Sequence, residues 1–280
     1  MGKSNSRKAA KIDRQAPIGI FDSGIGGLTV ADAIHKLMPA ESLVYFGDTV
    51  HMPYGEKSAD AIKGYAEKIT DFLLSNGCKA IVIACNSASS VAYETVKKHA
   101  EGKAIVVDVI YPVVNQVSKL KKIDEIGVIG TRATIRSNAY SNRITALNPG
   151  KKVSSLATPL LAPMIEEGFF DNKISRTIIH NYLSRPKLKN IDALILACTH
   201  YPLIRKEIVE YYKRKIHIVD SAEIVAAHLQ ASLKAGDKLA QRKRSGSHRF
   251  YVSDLTSSFE KSTKIFFKGK VKLELRNLWK

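Results

Sequence analysis

Short apolar runs alternate with amphipathic stretches along most of the chain. The runs Ile18–Phe21, Ser42–Gly47, Ala80–Ala84, Ala104–Val109, Ile126–Ile129, Ala193–Ala197 and His217–Val219 have the length of strands, and several are nearly continuous in Ile, Val and Leu. A strand with no polar side is covered on both faces, which points to a parallel sheet sandwiched by helices. Between the runs, Asp60–Ser75, Ser89–His99 and Leu203–Lys213 carry apolar residues at helical spacing. This βαβα rhythm predicts an α/β fold. Ligands of such sheets bind beyond the carboxyl ends of the strands, where helix N-termini also point.

Those carboxyl ends are rich in small and polar residues. Asp22-Ser23-Gly24-Ile25-Gly26-Gly27, Cys85-Asn86-Ser87-Ala88-Ser89, Gly130-Thr131-Arg132-Ala133-Thr134 and Cys198-Thr199-His200-Tyr201-Pro202 each follow an apolar run. Ser, Thr and Asn there cap a helix and leave N–H groups aimed at an anion. The segments also pair. IVIACNSAS (81–89) aligns with LILACTHYP (194–202) at an offset of 113, and IGIFDSG (18–24) with IGVIGTR (126–132) at 108. Two matches in the same order predict an internal duplication: two similar parallel-sheet α/β lobes, with a thiol from each facing the other across one cleft.

A thiol ionises near pH 8.5 when unperturbed, and the start of a helix makes ionisation easier. Cysteines so placed can act as acid and base near neutral pH, which singles out Cys85 and Cys198. Cys78, in the turn Asn76-Gly77-Cys78, reads as a small buried hydrophobe. Zinc is a poor fit, since the two cysteines are far apart, no CxxC occurs and only His200 stands beside them. The glycine-rich turn after the first run is not GxGxxG, so a nicotinamide dinucleotide is not expected. Asp22 at that turn reads equally as a cap or as an acid facing the cleft.

Composition adds limits. With 280 residues, 45% apolar and 25% charged, the chain can bury a sizeable core, which excludes an intrinsically disordered or disulfide-stapled scaffold. Three cysteines, an odd and sparse set, suit a reducing compartment. No apolar run nears the roughly 18 residues of a membrane span, and no export signal opens the chain, so an intracellular, soluble protein is expected. The net charge of +18 is concentrated in two places. Residues 1–16 hold five Lys/Arg against one Asp and residues 234–280 hold thirteen against four acids, leaving only +5 between them. Lacking interleaved aromatic residues, these basic segments read as solubilising surface rather than a nucleic-acid platform. Met1-Gly2 with Ser6 fits an N-myristoylation pattern, but residues 1–16 read as a disordered basic extension.

FDSGIGGLTV, GDTVHMPYG, ACNSAS, GTRATIRSNAY, TPLLAPMIEEG and LACTHYPLI, in this order, resemble the glutamate racemases of the aspartate/glutamate racemase family. The resemblance runs from about Ile18 to Asp220 and on to about residue 231. It implies interconversion of L- and D-glutamate with no cofactor and no metal, supplying D-glutamate for peptidoglycan in a bacterial cytoplasm. Residue by residue, it makes Cys85 and Cys198 the acid/base thiols. It makes Asp22, Ser23, Tyr54, Gly55, Asn86, Ser87, Thr199 and His200 the glutamate-binding set, with Thr131 and Thr134 as further carboxylate contacts. Asp22 is expected near Cys85, and His200 with Glu166 near Cys198. One lobe is expected over 17–111 plus 221–280 and the other over 112–220. Small-molecule glutamate is the expected partner, with no membrane or nucleic acid; a homodimer is left open.

Three departures stand out. Ser87 replaces the usual Thr, Thr158 replaces a common Cys, and RKRSGSHRFYVSD in the basic segment matches only loosely. Aspartate or a related amino acid is the alternative substrate. From another class, the chain could be a nucleic-acid binder using its basic ends, with inert cysteines.

Overall fold

The apolar runs become strands buried on both faces. The computed structural model describes residues 13–241 and 244–280. Its strands are β1 Ile18–Asp22, β2 Leu43–Gly47, β3 Ala80–Ile83, β4 Ile105–Asp108, β5 Glu125–Gly130, β6 Lys152–Ala157, β7 Ala193–Ala197, β8 His217–Val219, β9 His248–Val252 and β10 Leu273–Leu275. They form two wholly parallel sheets, ordered β10-β9-β2-β1-β3-β4 and β6-β5-β7-β8.

The two-residue period of a strand divides each run between two cores. Ile18, Ile20, Tyr45 and Val82 face one core. Phe21, Phe46, Ile81 and Ile83 face the other, against Ile62, Ile69 and Leu73 of helix Ala59–Ser75 and Val96 of helix Asn86–His99. Each large side chain so buried contributes about 1.5–3 kcal/mol. Cys78 packs in this second core as expected: a Cβ on Gly19 would meet its Sγ at 3.0 Å.

The duplication is visible in the topology. β1–β4 and β5–β8 share the order second, first, third, fourth. In each sheet the chain reverses its direction of travel between the first and third of these strands. That is the topological switch point, where open α/β sheets bind ligands. Asp22 and Cys85 flank it in one lobe, Gly130 and Cys198 in the other.

Three strands escape the hydrophobic pattern. β6 reads KVSSLA and is an edge strand with its residues mostly half-buried. β9 and β10 lie in the basic segment, adding parallel strands beyond β2. The basic extension lies outside the described residues as far as position 12, Gly2 and Ser6 included. Positions 13–16 lie on the body: Lys79 Nζ donates to the Arg14 carbonyl at 2.6 Å, and Arg14 pairs with Asp237. Among the described residues no helix is long and apolar enough to cross a membrane.

Candidate active site

Cys85 ends the β3 segment in extended conformation (φ −69°, ψ 123°) and caps helix Asn86–His99. The cap position turns its sulfur toward the helix start, where the Ala88 N–H reaches it, and Ser23 Oγ lies 3.7 Å from Sγ. Beneath them Asp22 is fully buried. The Gly24 N–H donates to its Oδ1 at 2.9 Å, and Thr199 Oγ1 from the other lobe donates to its Oδ2 at 3.4 Å. Asp22 is thus both things the sequence left open, a cap of its own turn and a buried acid behind the cleft.

Cys198 sits differently. A 3-10 turn, Tyr201–Ile204, follows it, and the α-helix begins only at Arg205. It therefore lacks the helix start anticipated from sequence. Its neighbour is His200, whose Nδ1 is 3.7 Å from Sγ. The other ring nitrogen, Nε2, lies 2.9 Å from Glu166 Oε1, an ion pair without a well-aligned hydrogen bond. Thr158 keeps the surrounding core satisfied, its hydroxyl 2.7 Å from that of Tyr201.

The lobes meet through small residues and hydroxyls. Ser87 Oγ is 2.8 Å from Thr131 Oγ1 and 3.4 Å from Thr134 Oγ1. Tyr140 donates to Asn86 Oδ1 at 2.7 Å, and Thr29 Oγ1 to the Thr199 carbonyl at 3.2 Å. A Cβ on Gly26 would lie 2.4 Å from His200 Cε1 and 2.6 Å from Thr199 Oγ1, and one on Gly55 would lie 2.8 Å from Thr131 Cβ. Glycine is what lets these backbone segments come so close to side chains of the other lobe.

Between the lobes is a cavity of about 40 Å³. Ser23, Tyr54, Gly55, Cys85, Asn86 and Ser87 wall it from one side, and Thr131, Glu166, Cys198, Thr199 and His200 from the other. Larger hollows exist, one of about 700 Å³ beside Lys264, Lys268 and Lys270, but they are surface grooves without a thiol. Of the anticipated site residues, Asp22 and Thr134 are not on the wall; both are buried beside residues that are, Asp22 against Thr199 and Thr134 against Ser87 and Thr131. Met52, Pro53 and Ala162 also line the cavity, and Tyr140 orients Asn86. Met52, Pro53 and Tyr140 lie inside the motif segments, but apolar or ring residues there look like ordinary turn and core. Asn86 Nδ2 is buried without a partner, a donor left over for a ligand.

Charges buried here are perturbed. Burial, and then the nearby Asp22 carboxylate, push the Cys85 thiol up to about 12, against the pull of the Ala88 N–H and of Ser23. This reverses the sequence expectation: desolvation outweighs the helix start. Burial also raises Asp22, opposed by His200, by the Gly24 and Gly27 N–H groups and by Thr199. Burial disfavours charge on His200 as well, but Cys198 and Glu166 outweigh it and hold the imidazolium well above its usual range. A thiol raised this way keeps its proton through neutral pH. Iodoacetamide labelling of Cys85 in the glutamate-free protein, followed by peptide mapping, should therefore keep climbing about tenfold per pH unit between pH 7 and 10. A plateau near pH 8.5 would show an unperturbed thiol.

Two thiols thus line one cavity at matching switch points, one beside a buried carboxylate and one beside an imidazolium, on a pair of parallel-sheet lobes of the amino-acid racemase type. The chain belongs to the Asp/Glu/hydantoin racemase family, whose profile matches residues 18–229. It is 42% identical over 259 residues to the glutamate racemase of Chlorobium phaeobacteroides, covering 92% of this chain and 95% of that one. Over 254 residues it is 39% identical to the glutamate racemase of Geobacter metallireducens, covering 91% and 93%. The crystal structure of glutamate racemase from Francisella tularensis in complex with D-glutamate superposes with a TM-score of 0.89 at 38% identity, covering 95% of this chain and 99% of that one.

Proposed function

We propose that the protein interconverts L- and D-glutamate by moving protons between Cys85 and Cys198, with no bound cofactor, and supplies D-glutamate for peptidoglycan in a bacterial cytoplasm. The observation that carries this reading is the pair of thiols lining one small cavity from corresponding strand ends of two lobes. In this reading residues 17–111 and 221–280 form one lobe and 112–220 the other.

The α-hydrogen of an amino acid is weakly acidic, so the site must help it leave. One sulfur, as thiolate, takes it from one face; the other, as thiol, returns a proton to the opposite face. The electron pair left on Cα is stabilised by donors fixed around the α-carboxylate: Asn86 Nδ2, Ser87, Thr199 and Thr131, with the Thr134 hydroxyl supporting Ser87 and Thr131 from behind. Ser23 faces the α-ammonium with the Asp22 carboxylate behind it, and the ammonium charge offsets the burial that holds Cys85 protonated. Tyr54 and Gly55 open a helical turn, where the first N–H groups lack intrahelical partners, and these suit the distal carboxylate. On the Cys198 side, His200 supplies a counter-charge to the sulfur. A cavity of about 40 Å³ has room for a few waters only. The lobes therefore part to admit glutamate and close to exclude water during reaction.

The test is chiral chromatography of acidic amino acids incubated with exhaustively dialysed protein. Racemisation of glutamate without absorbance in the pyridoxal region is the expected result. Activity that returns only with added pyridoxal phosphate would overturn the two-thiol reading, and a preference for aspartate would move the substrate.

A further inference from the structure

We propose that Trp279 is a positioning residue for glutamate binding, holding the loop between β2 and helix Ala59–Ser75 against the site through Asp48. The inference rests on the reading of the site given above.

The loop has two faces. On the inner one, Met52, Pro53, Tyr54 and Gly55 line the cavity. Its regular structure is limited to two short 3-10 turns, Thr49–His51 and Tyr54–Glu56, so its placement depends on what holds the outer face. Asp48 is the anchor. It follows β2 directly, its N–H donates to the Asp22 carbonyl at 3.0 Å, and its side chain is fully buried.

Four side chains converge on that carboxylate. From the loop, Tyr54 donates to Oδ2 at 2.6 Å and His51 Nδ1 lies 2.8 Å from the same oxygen. From far along the chain, Ser253 and Trp279 Nε1 each donate to Oδ1 at 2.9 Å. Two further bonds tie the loop to the same region: Val50 N–H to Ser253 Oγ at 3.0 Å and Thr49 Oγ1 to the Asp254 carbonyl at 2.6 Å. The indole also closes an aromatic stack. His51 lies flat on Tyr65 with centroids 3.9 Å apart, and Trp279 meets His51 edge-on at 4.4 Å and Tyr65 at 5.4 Å.

A buried carboxylate oxygen that loses a donor is left undersolvated, and its surroundings shift to compensate. Here one of the groups that share the carboxylate is Tyr54, on the wall of the site. The loop bears neither thiol, so loosening it weakens substrate binding more than proton transfer.

Trp279 is the single Trp of the chain. Replacing tryptophan globally by its benzothiophene isostere therefore alters this position alone, keeping the ring shape and removing the N–H. Both that protein and Trp279→Phe should raise KM for L- and D-glutamate about three- to tenfold, with kcat within about twofold. Combined with Tyr54→Phe, the effect on KM should be less than multiplicative, because both changes act on one carboxylate. An unchanged KM in the isostere protein, or strictly multiplicative effects, would overturn the proposal while leaving the racemase reading intact. The isostere decides the matter even where Trp279→Phe fails to fold. Unmodified protein that neither binds glutamate in calorimetry nor turns it over would remove the site reading, and this proposal with it.

Discussion

Cys85→Ser should abolish racemisation in both directions while leaving half of the proton chemistry measurable. A serine hydroxyl is far too weakly acidic to exchange a proton at neutral pH, and loss of a general acid/base costs about 10²–10⁴-fold. Both directions fail, because each turnover needs one sulfur to take a proton and the other to give one. In the proposed mechanism, the family resemblance implies that Cys198 takes the proton of L-glutamate and Cys85 that of D-glutamate. In deuterium oxide the intact Cys198 of the variant should still remove the α-hydrogen of L-glutamate and return deuterium to the same face. Proton NMR of each enantiomer separately should show slow α-hydrogen loss from L-glutamate, much less from D-glutamate, and no inversion. Cys198→Ser should show the mirror pattern. Equal exchange into both enantiomers by one single variant would mean that one residue serves both faces, and the two-lobe assignment would be wrong.

Gly26→Ala should cost about 100-fold in kcat/KM although it touches neither thiol, since a displacement near 1 Å is enough for such a loss. The added methyl would lie 2.4 Å from His200 Cε1 and 2.6 Å from both Nδ1 and Thr199 Oγ1. His200 is buried between Cys198 and Glu166 and Thr199 is short, so neither can swing away. The second lobe must back off instead, carrying the Thr199 and His200 contacts with it. Overpacking of this kind typically destabilises by about 1–3 kcal/mol, visible as a lowered Tm. Gly64→Ala provides the contrast. It lies exposed in helix Ala59–Ser75 with nothing within 4 Å of its would-be Cβ, so alanine should stabilise by about 0.8–1.0 kcal/mol with activity unchanged. Wild-type turnover in Gly26→Ala would show that the lobe contact is slack.

The sheet strands that carry chemistry were legible in the sequence because burial on both faces leaves an unbroken apolar run, as in Ala193–Ala197. The paired cysteine segments were legible for the same reason, since each stands where such a run stops. β6 was hidden because an edge strand exposes one side and tolerates Ser154 and Ser155, which break the run. β9 was hidden in a segment whose Lys and Arg residues dominate the pattern. At the site, the residue types were readable but their electrostatics were not. Helix starts and cysteines can be seen in a string of letters; the desolvation of Cys85 and its proximity to Asp22 depend on how tightly two distant segments close over them. Asp48 and Trp279, 231 positions apart, carry no local signature at all, because their pairing exists only once β9 and β10 have joined the sheet.

The unlike neighbours of the two thiols, Asp22 and Ser23 on one side and His200 with Glu166 on the other, have a thermodynamic consequence. Free L- and D-glutamate are mirror images of equal free energy, so kcat/KM must be identical in the two directions whatever surrounds each sulfur. The asymmetry can tighten the grip on one enantiomer only by slowing its turnover in proportion. It decides how the catalyst divides its time between substrate-bound forms and at what concentration each direction saturates. It cannot make the protein a one-way producer. Any sustained flow toward one hand comes from the reaction that removes it, and the site's unequal halves set only the concentrations over which that flow responds.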